Sequence, residues 1–455
     1  MRHIPLARLF FALAVLTAAP VHAQTPDASR PRNVVFMIAD GFGPASEALA
    51  RAAHGRPLAL DAILTGSVST AASDSRVTDS AAGATAYACG IKTYNGAIAV
   101  DANGSPCVTV LEAARDAGCA TGLVATSRVT HATPASYASH VARRSSESEI
   151  AVQMAGARLD VLFGGGGRYF TPAAEGGRRT DGRDLRREML GHGALVTTTT
   201  EGFRGLPAAP AVALLAPDHM DYEIDRTDQP ALAEMATKAL DLLAATPAAR
   251  DRGFFLMIEG SRIDHAAHDN DAPAHVRDIL AYDAAVAAVL DWARRDGATL
   301  VVSTADHETG GLTLGRDGVY SFDPAPLLAA TSSAERLAER LGEPDANPAA
   351  LVHAALGSDS LSAADAARLA ADGDSDSRVA LFRDIEDHRA GVAWSTSGHT
   401  GVDVGLYAFG PGAEHFRGHM ASDAVGRATF EALGLALPPQ AQAAADQAAI
   451  DQAGT

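Results

Sequence analysis

The chain has 455 residues, of which 47% are hydrophobic and 20% charged, so it is long enough to bury a large globular core. Its formal charge of −18 argues against stable binding to nucleic acid or to anionic lipid, because such a surface repels phosphate groups. An anionic substrate would need local cations, namely metal ions or a well-placed arginine.

The first residues carry the pattern of an export signal. Arg2 and Arg8 flank the apolar stretch 9–19, and Val21-His22-Ala23 has the form of a cleavage site. The apolar stretch is too short to span a bilayer. We therefore interpret residues 1–23 as a removed signal peptide, with no membrane anchor, and expect the mature chain in the periplasm or the medium.

The cysteine count is odd for an exported chain, so at least one thiol is expected to be unpaired. A disulfide between Cys107 and Cys119 and three buried free thiols, Cys89 included, remain alternatives. Their spacing is not that of a metal site, so oxygen and nitrogen atoms must supply the ligands of any metal.

Apolar runs alternate with helical patterns, which predicts βα units and a mainly parallel sheet. A long helix is expected over about 273–295, where apolar residues recur at helical spacing. Strands are expected at 33–39, 120–126, 159–163, 253–258 and 299–303.

Polar side chains follow several of these predicted strands, where open α/β sheets bind ligands. His399 breaks the rule, because it precedes the strand-like run 402–409. The residues that obey the rule are Asp40, His131, Glu259 and Asp306.

Two clusters have the residue types of metal ligands. Asp264 and His268 are four apart, so on a helix they project from one face toward a single ion. Asp306 with His307 offers a second pair. The ordinary alternatives are a solvated helix face and a loop ion pair. An unpaired carboxylate at Asp40, after a buried strand, would be costly unless it bound metal or capped a helix.

Ser80 lies where a short helix is expected to begin. It could simply cap that helix, yet a helix N-terminus also presents amides and a positive dipole to an anion. Metal clusters and a presented serine together suggest metal-assisted covalent catalysis on an anionic substrate. Arg143 and Arg144 are adjacent, and one guanidinium reaching the site could hold two phosphate oxygens.

Residues 316–394 are alanine-rich, acidic and helical in pattern, and they precede His399. They predict a helical insertion near the mouth of the site; a lid and an ordinary surface subdomain remain alternatives. The Ala/Gln-rich residues 438–455 are expected to form a flexible tail.

Seven separated motifs, in the same order along the chain, resemble those of alkaline phosphatases. The resemblance implies one catalytic domain over 24–437, folded as a three-layer α/β/α sandwich around a large, mainly parallel sheet, and a homodimer. The motifs are 33–41, 77–86, 92–96, 131–134, 259–268, 304–307 and 398–401.

The resemblance also implies roles for individual residues. Ser80 would be the nucleophile that becomes phosphoserine, and Arg144 rather than Arg143 would grip the phosphoryl group. His131 stands where the best-known enterobacterial enzyme has Asp, and His265 where it has Lys. In having histidine at both positions, the chain resembles the vertebrate enzymes and many other bacterial members. His265 is expected to contact phosphate indirectly or to tune the first zinc, and His131 leaves the identity of the third metal open. The implied ligands are Asp264, His268 and His399 for one zinc ion, Asp40, Asp306 and His307 for a second, and Asp40, Thr133 and Glu259 for magnesium.

The resemblance therefore implies an enzyme that hydrolyses phosphate monoesters to an alcohol and inorganic phosphate. A phosphodiesterase or sulfatase on the same scaffold, and a non-catalytic phosphate- or metal-binding protein, are the alternatives. A sulfatase would need a Cys/Ser-x-Pro-x-Arg motif, which Ser80 lacks. A diesterase usually lacks the third-metal set, whereas Thr133 and Glu259 are both present.

Overall fold

The computed structural model describes residues 30–357, 362–371 and 374–453, so the predicted signal peptide lies outside the described residues. The strands are β1 Asn33–Ala39, β2 Leu64–Ser69, β3 Ala120–Arg128, β4 Val161–Gly165, β5 Leu195–Thr197, β6 Ala211–Leu214, β7 Phe254–Gly260, β8 Thr299–Thr304, β9 Glu308–Thr309, β10 Leu312–Leu314, β11 Val392–Trp394, β12 His399–Thr400, β13 Val404–Phe409 and β14 Gly418–Ala421. The helices are α1 Pro44–His54, α2 Ser80–Cys89, α3 Val110–Asp116, α4 Ala132–Ala138, α5 Glu147–Gly156, α6 Leu185–Gly191, α7 Thr200–Arg204, α8 Leu232–Ala244, α9 Pro247–Arg252, α10 Arg262–His268, α11 Ala272–Asp296, α12 Ala325–Ala329, α13 Ala334–Leu341, α14 Pro348–Ala355, α15 Ala363–Ala370, α16 Ser375–Ala390, α17 Ser422–Ala432 and α18 Pro439–Ala453.

A ten-stranded sheet forms the centre of the molecule, in the order β14-β2-β13-β8-β1-β7-β3-β4-β6-β5. The seven strands from β8 to β5 run parallel, whereas β13 is antiparallel to both β8 and β2. Helices pack in two groups, α11 with α1 and α8, and α2 with α4 and α17. The prediction of an α/β fold around a large, mainly parallel sheet is confirmed.

The central strands are buried along their whole length because helices cover the sheet on both sides. Every residue of β1, β7 and β8 is buried. The predicted limits of β1 match the structure, and β7 continues beyond the predicted end, so that Glu259 lies within it. The predicted long helix is α11.

The predicted insertion, 316–394, is joined to the rest of the chain by paired strands. β10 and β11 are antiparallel, with Leu312 opposite Trp394 and Leu314 opposite Val392. Five helices, α12 to α16, lie between these strands in the described part of the chain. Helices α13, α14 and α16 bury their own apolar cluster, which includes Leu337, Val352, Leu356, Phe382 and Ile385.

The C-terminal segment differs from its prediction. Residues expected to form a flexible tail form α18, and its Ala441 is buried in an apolar cluster with Cys89 and Cys107. The three cysteines are free, so the Cys107–Cys119 disulfide does not form, and Cys119 is only half-buried. No helix among the described residues is both long and apolar enough to cross a membrane.

Gly253, which leads into β7, should tolerate no side chain. Its φ of 83° and ψ of −165° lie in a region that is essentially open to glycine alone, and a Cβ would lie 1.8 Å from the Arg32 carbonyl oxygen. Gly297 also has a positive φ, of 73°, but a Cβ there would meet nothing within 4 Å. We expect Gly253→Ala to lower the free energy of unfolding by about 3 kcal/mol or more, and Gly297→Ala by about 1–2 kcal/mol. Urea unfolding measures both; equal losses would contradict the role of the close contact.

Candidate active site

The site lies beyond the carboxyl ends of three neighbouring parallel strands. Asp40 directly follows β1, Glu259 is near the end of β7, and Asp306 follows β8. The register places Ile38 of β1 opposite both Glu259 and Thr304, so the three carboxylates meet at one edge of the sheet. All three are fully buried.

Ser80 is the first residue of α2, and Asp79 caps that helix by accepting a hydrogen bond from the Ala82 N–H at 3.0 Å. The serine is buried, with 1% of its surface exposed. Its Oγ lies 3.3 Å from His307 Nε2 and 3.5 Å from Arg144 Nη1. A hydroxyl is thus held between an imidazole and a guanidinium at the positive end of a helix.

Asp40, Asp306 and His307 form the group closest to the serine. His307 Nε2 lies 3.6 Å from Asp40 Oδ1 and 3.3 Å from Asp306 Oδ2. The other Asp306 oxygen accepts backbone hydrogen bonds from Gly41 and His307, which fix the carboxylate. The ligand atoms of the three residues lie within 4.8 Å of one another, which suits one metal ion.

A second group is built on α10. Asp264 and His268 share a face of this helix, with 3.4 Å between His268 Nε2 and Asp264 Oδ2. His399, on β12, brings its Nε2 to 3.0 Å from His268 Nε2 and 3.7 Å from Asp264 Oδ1. The His307 ring stacks on His399 with 3.5 Å between centroids, and the ligand atoms of Asp264, His307 and His399 lie within 4.8 Å of one another, so this group adjoins the first.

A third group consists of Asp40, His131 and Glu259, whose ligand atoms also lie within 4.8 Å of one another. His131 precedes α4, and the buried Thr133 is in its first turn. Asp40 therefore belongs to two groups.

The donor atoms of these groups fit metal ions. Both oxygens of Asp40, and one further atom on each of several neighbours, are buried without a hydrogen-bond partner among the described residues. Such atoms are costly in a folded protein unless a ligand satisfies them. Nitrogen and oxygen donors suit zinc, and an oxygen-rich set suits magnesium. The further atoms are Asp306 Oδ2, Glu259 Oε1, Thr133 Oγ1 and His131 Nδ1.

The protonation of the carboxylates reflects their crowding. Burial, followed by the negative charge of Asp264, raises the pKa of Asp306 to about 8, and burial raises that of Glu259 to about 7. Burial and three neighbouring carboxylates also raise the pKa of Asp40 well above its usual range. Burial alone would raise the pKa of Asp264, but hydrogen bonding to His268 and the nearby imidazoles lower it instead. The neighbouring cationic groups therefore do not balance the negative charge of the carboxylates at this site.

Arg144 reaches the site and Arg143 does not. The Arg144 guanidinium pairs with Asp79 Oδ2 at 3.0 Å and approaches His131 Nε2 at 3.0 Å, besides its contact with Ser80. Arg143 is exposed. The structure thus brings the Arg144 guanidinium beside the serine hydroxyl.

His265 lies on the side of the third group. Its ring centroid is 5.3 Å from that of His131 and 4.4 Å from that of His219. The sequence analysis missed His219, and also Arg262, whose Nη1 lies 3.0 Å from His265 Nδ1. His219 follows the apolar run of β6 within a few residues, so the strand-end rule could have found it; no motif marks Arg262.

Comparisons with known proteins point to one family. The alkaline phosphatase family model matches residues 31–435. The repressible alkaline phosphatase of Saccharomyces cerevisiae is 40% identical over 430 residues, covering 84% of this chain and 76% of the yeast protein. Two solved structures match with a TM-score of 0.79. The cold-active enzyme of Shewanella sp. is 32% identical over 88% of this chain and 99% of its own, and the Thermus thermophilus alkaline phosphatase is 33% identical over 93% and 97%.

Removal of divalent metal should destabilise the protein, because the carboxylates at the sheet edge then repel one another. Each tight metal ion adds about 3 kcal/mol to the free energy of unfolding when free metal exceeds its dissociation constant about 100-fold. We expect a chelator to lower the thermal midpoint, zinc with magnesium to restore it, and Asp306→Asn to reduce the restoration. Asp278→Asn is the control, since Asp278 is a buried carboxylate outside the three groups. An equal response in both variants would contradict the assignment.

Proposed function

The chain belongs to the alkaline phosphatase family and is a phosphatase, and we propose that it hydrolyses phosphate monoesters through a covalent phosphoserine at Ser80. The observation that carries the proposal is the position of the Ser80 Oγ, buried at the N-terminus of α2 between His307 Nε2 and Arg144 Nη1. A serine in such surroundings can act as a nucleophile toward a bound phosphoryl group.

The reaction takes two displacements. The Ser80 Oγ forms a bond to phosphorus while the ester oxygen departs and takes up a proton as the alcohol. Water then attacks the phosphoserine, which releases inorganic phosphate and returns the serine hydroxyl. Because each step inverts phosphorus, the net result is retention of configuration.

We propose that the three residue groups hold the metal ions that the reaction uses. Two zinc ions and a magnesium ion would supply positive charge to the oxygens that enter and leave phosphorus. One zinc ion would be held by Asp264, His268 and His399, and the other by Asp40, Asp306 and His307. The magnesium ion would be held by Asp40, Thr133 and Glu259, beside His131. The unpartnered buried oxygens of Asp40 support this assignment.

The chain's own cations orient the substrate. Arg144 offers a planar pair of N–H donors to two oxygens of the phosphoryl group, and Asp79 holds the guanidinium in place by their ion pair. The N-terminus of α2 adds backbone amides to the same anion. His265 is the further residue that we place near the substrate.

We also propose the substrates, the location and the oligomeric state of the enzyme. The substrates are small phosphate monoesters, and inorganic phosphate is both product and inhibitor. The export pattern of residues 1–23 supports a mature enzyme outside the cytoplasm. We propose a homodimer, which size measurement in solution would test.

Ser80→Ala should lower turnover of an aryl phosphate by roughly three orders of magnitude or more, because the covalent route is lost. Zinc content should stay close to that of the wild type, since Ser80 belongs to none of the three ligand groups. Mass spectrometry after acid quench with phosphate should find phosphoserine at Ser80 in the parent enzyme. Ser75→Ala, in the preceding loop, is the control. Near-normal activity of Ser80→Ala would refute the mechanism, and faster turnover of a bis-aryl ester than of the monoester would favour a diesterase.

Arg144→Ala should raise the inhibition constant of phosphate and lower kcat/KM by roughly 10- to 1,000-fold, because one of several charges on the phosphoryl group is removed. Arg144→Lys should recover only part, since an ammonium lacks the planar fork. Arg143→Ala should behave as wild type, because the Arg143 side chain is exposed. A large defect in Arg143→Ala with none in Arg144→Ala would show that Arg143, and not Arg144, binds the phosphoryl group.

A further inference from the structure

Arg262 occupies an unusual position for a charged side chain. Only 3% of its surface is exposed, and its guanidinium carbon lies 3.7 Å from the centroid of the Tyr222 ring. Its Nη2 pairs with Glu335 Oε2 at 2.7 Å, and its Nη1 lies 3.0 Å from His265 Nδ1. A buried arginine therefore connects a carboxylate to an imidazole.

The contact with Arg262 decides which nitrogen of His265 carries the proton. A guanidinium only donates hydrogen bonds, so the nitrogen that faces it must accept. An imidazole with an accepting Nδ1 carries its hydrogen on Nε2. No hydrogen bond joins His265 Nε2 to another described residue, so its N–H is available to a ligand.

His265 stands close to the groups that surround the phosphoryl site. Its ring contacts that of His131, whose Nε2 lies 3.0 Å from Arg144 Nη2. Arg144 in turn approaches the Ser80 Oγ. Arg262 is therefore connected to Ser80 through successive contacts of His265, His131 and Arg144.

Glu335 belongs to the insertion, whereas Arg262 belongs to the helix that carries Asp264 and His268. Glu335 lies in the first turn of α13, and half of its side chain is exposed. The pair therefore joins the insertion to α10 at its first residue, Arg262.

We propose that Arg262 is a positioning residue: it holds His265 with Nδ1 as acceptor and Nε2–H as a donor to the bound phosphoryl group, and Glu335 of the insertion holds Arg262 in that orientation. The inference rests on the proposed function for the identity of the ligand. It gives the insertion a structural part in the active site.

The first test reads the tautomer directly and needs no turnover. Nitrogen-15 NMR of the histidine-labelled, metal-loaded enzyme, with His265 assigned by its loss in His265→Gln, should show Nδ1 without a proton and Nε2 with one. In Arg262→Met the Nδ1 should become protonated in part of the population. A proton on Nδ1 in the wild type would overturn the proposal, and this readout is independent of whether Ser80 is the nucleophile.

The second test measures phosphate binding and kinetics. Arg262→Met should raise the inhibition constant of phosphate roughly 10-fold, as losses of supporting hydrogen bonds around a ligand site do, with zinc content unchanged. Arg262→Lys should fall between it and the wild type, because an ammonium cannot reach both partners. Glu335→Ala should show a smaller increase of the same kind.

Glu339→Ala is the matched control, since Glu339 lies one turn further along α13 and pairs with Arg336 at the surface. It should leave phosphate inhibition unchanged. If Arg262→Met does not fold, the wild-type tautomer and Glu335→Ala still decide the matter. Equal effects of Glu335→Ala and Glu339→Ala would overturn the link through the insertion, and unchanged phosphate affinity in Arg262→Met would overturn the role of Arg262.

Discussion

Repulsion between four buried carboxylates at one edge of the sheet governs the arrangement around them. Asp40, Glu259, Asp264 and Asp306 are each no more than 3% exposed. Two unit charges about 4 Å apart interact by about 4 kcal/mol at an effective dielectric of 20, which is a large fraction of a protein's net stability. The fold brings these groups together regardless, because the ends of β1, β7 and β8 converge there.

The surroundings supply part of the compensation. Imidazoles of His268, His307 and His399 lower the pKa of Asp264, and Arg144 brings a permanent positive charge close to the serine. The ligand groups also share members, since Asp40 belongs to two of them. A change at Asp40 therefore disturbs two groups at once, whereas a change at Glu259 disturbs one.

Sequence reasoning succeeded where the signal is local. The limits of β1 and the pairing of Asp264 with His268 follow from apolar runs and helical spacing. The roles of Arg144 and the ligand sets came from the resemblance, and their grouping depends on strand order, which periodicity does not reveal.

The failures have physical reasons as well. Contacts such as Arg262 with Glu335 join segments 73 residues apart and leave no pattern in either. β2 is mostly half-exposed and polar, so it lacks the apolar run that marked the central strands. α18 was missed because its residues have no apolar stripe, although alanine has the highest helix propensity. Burial of Ala441 then stabilises a helix that its sequence pattern alone does not indicate.

The paired strands β10 and β11 bring the two ends of the 316–394 segment side by side. A segment that leaves and re-enters a fold at one point can be lengthened or shortened without pulling on the strands that carry the ligands, because the distance its ends must span stays the same. This segment can therefore be exchanged for one of a different length while β10 and β11 stay paired. A replacement would have to restore the β10–β11 pairing, the ion pair with Arg262 and the packing of helices α12 and α16 against α11.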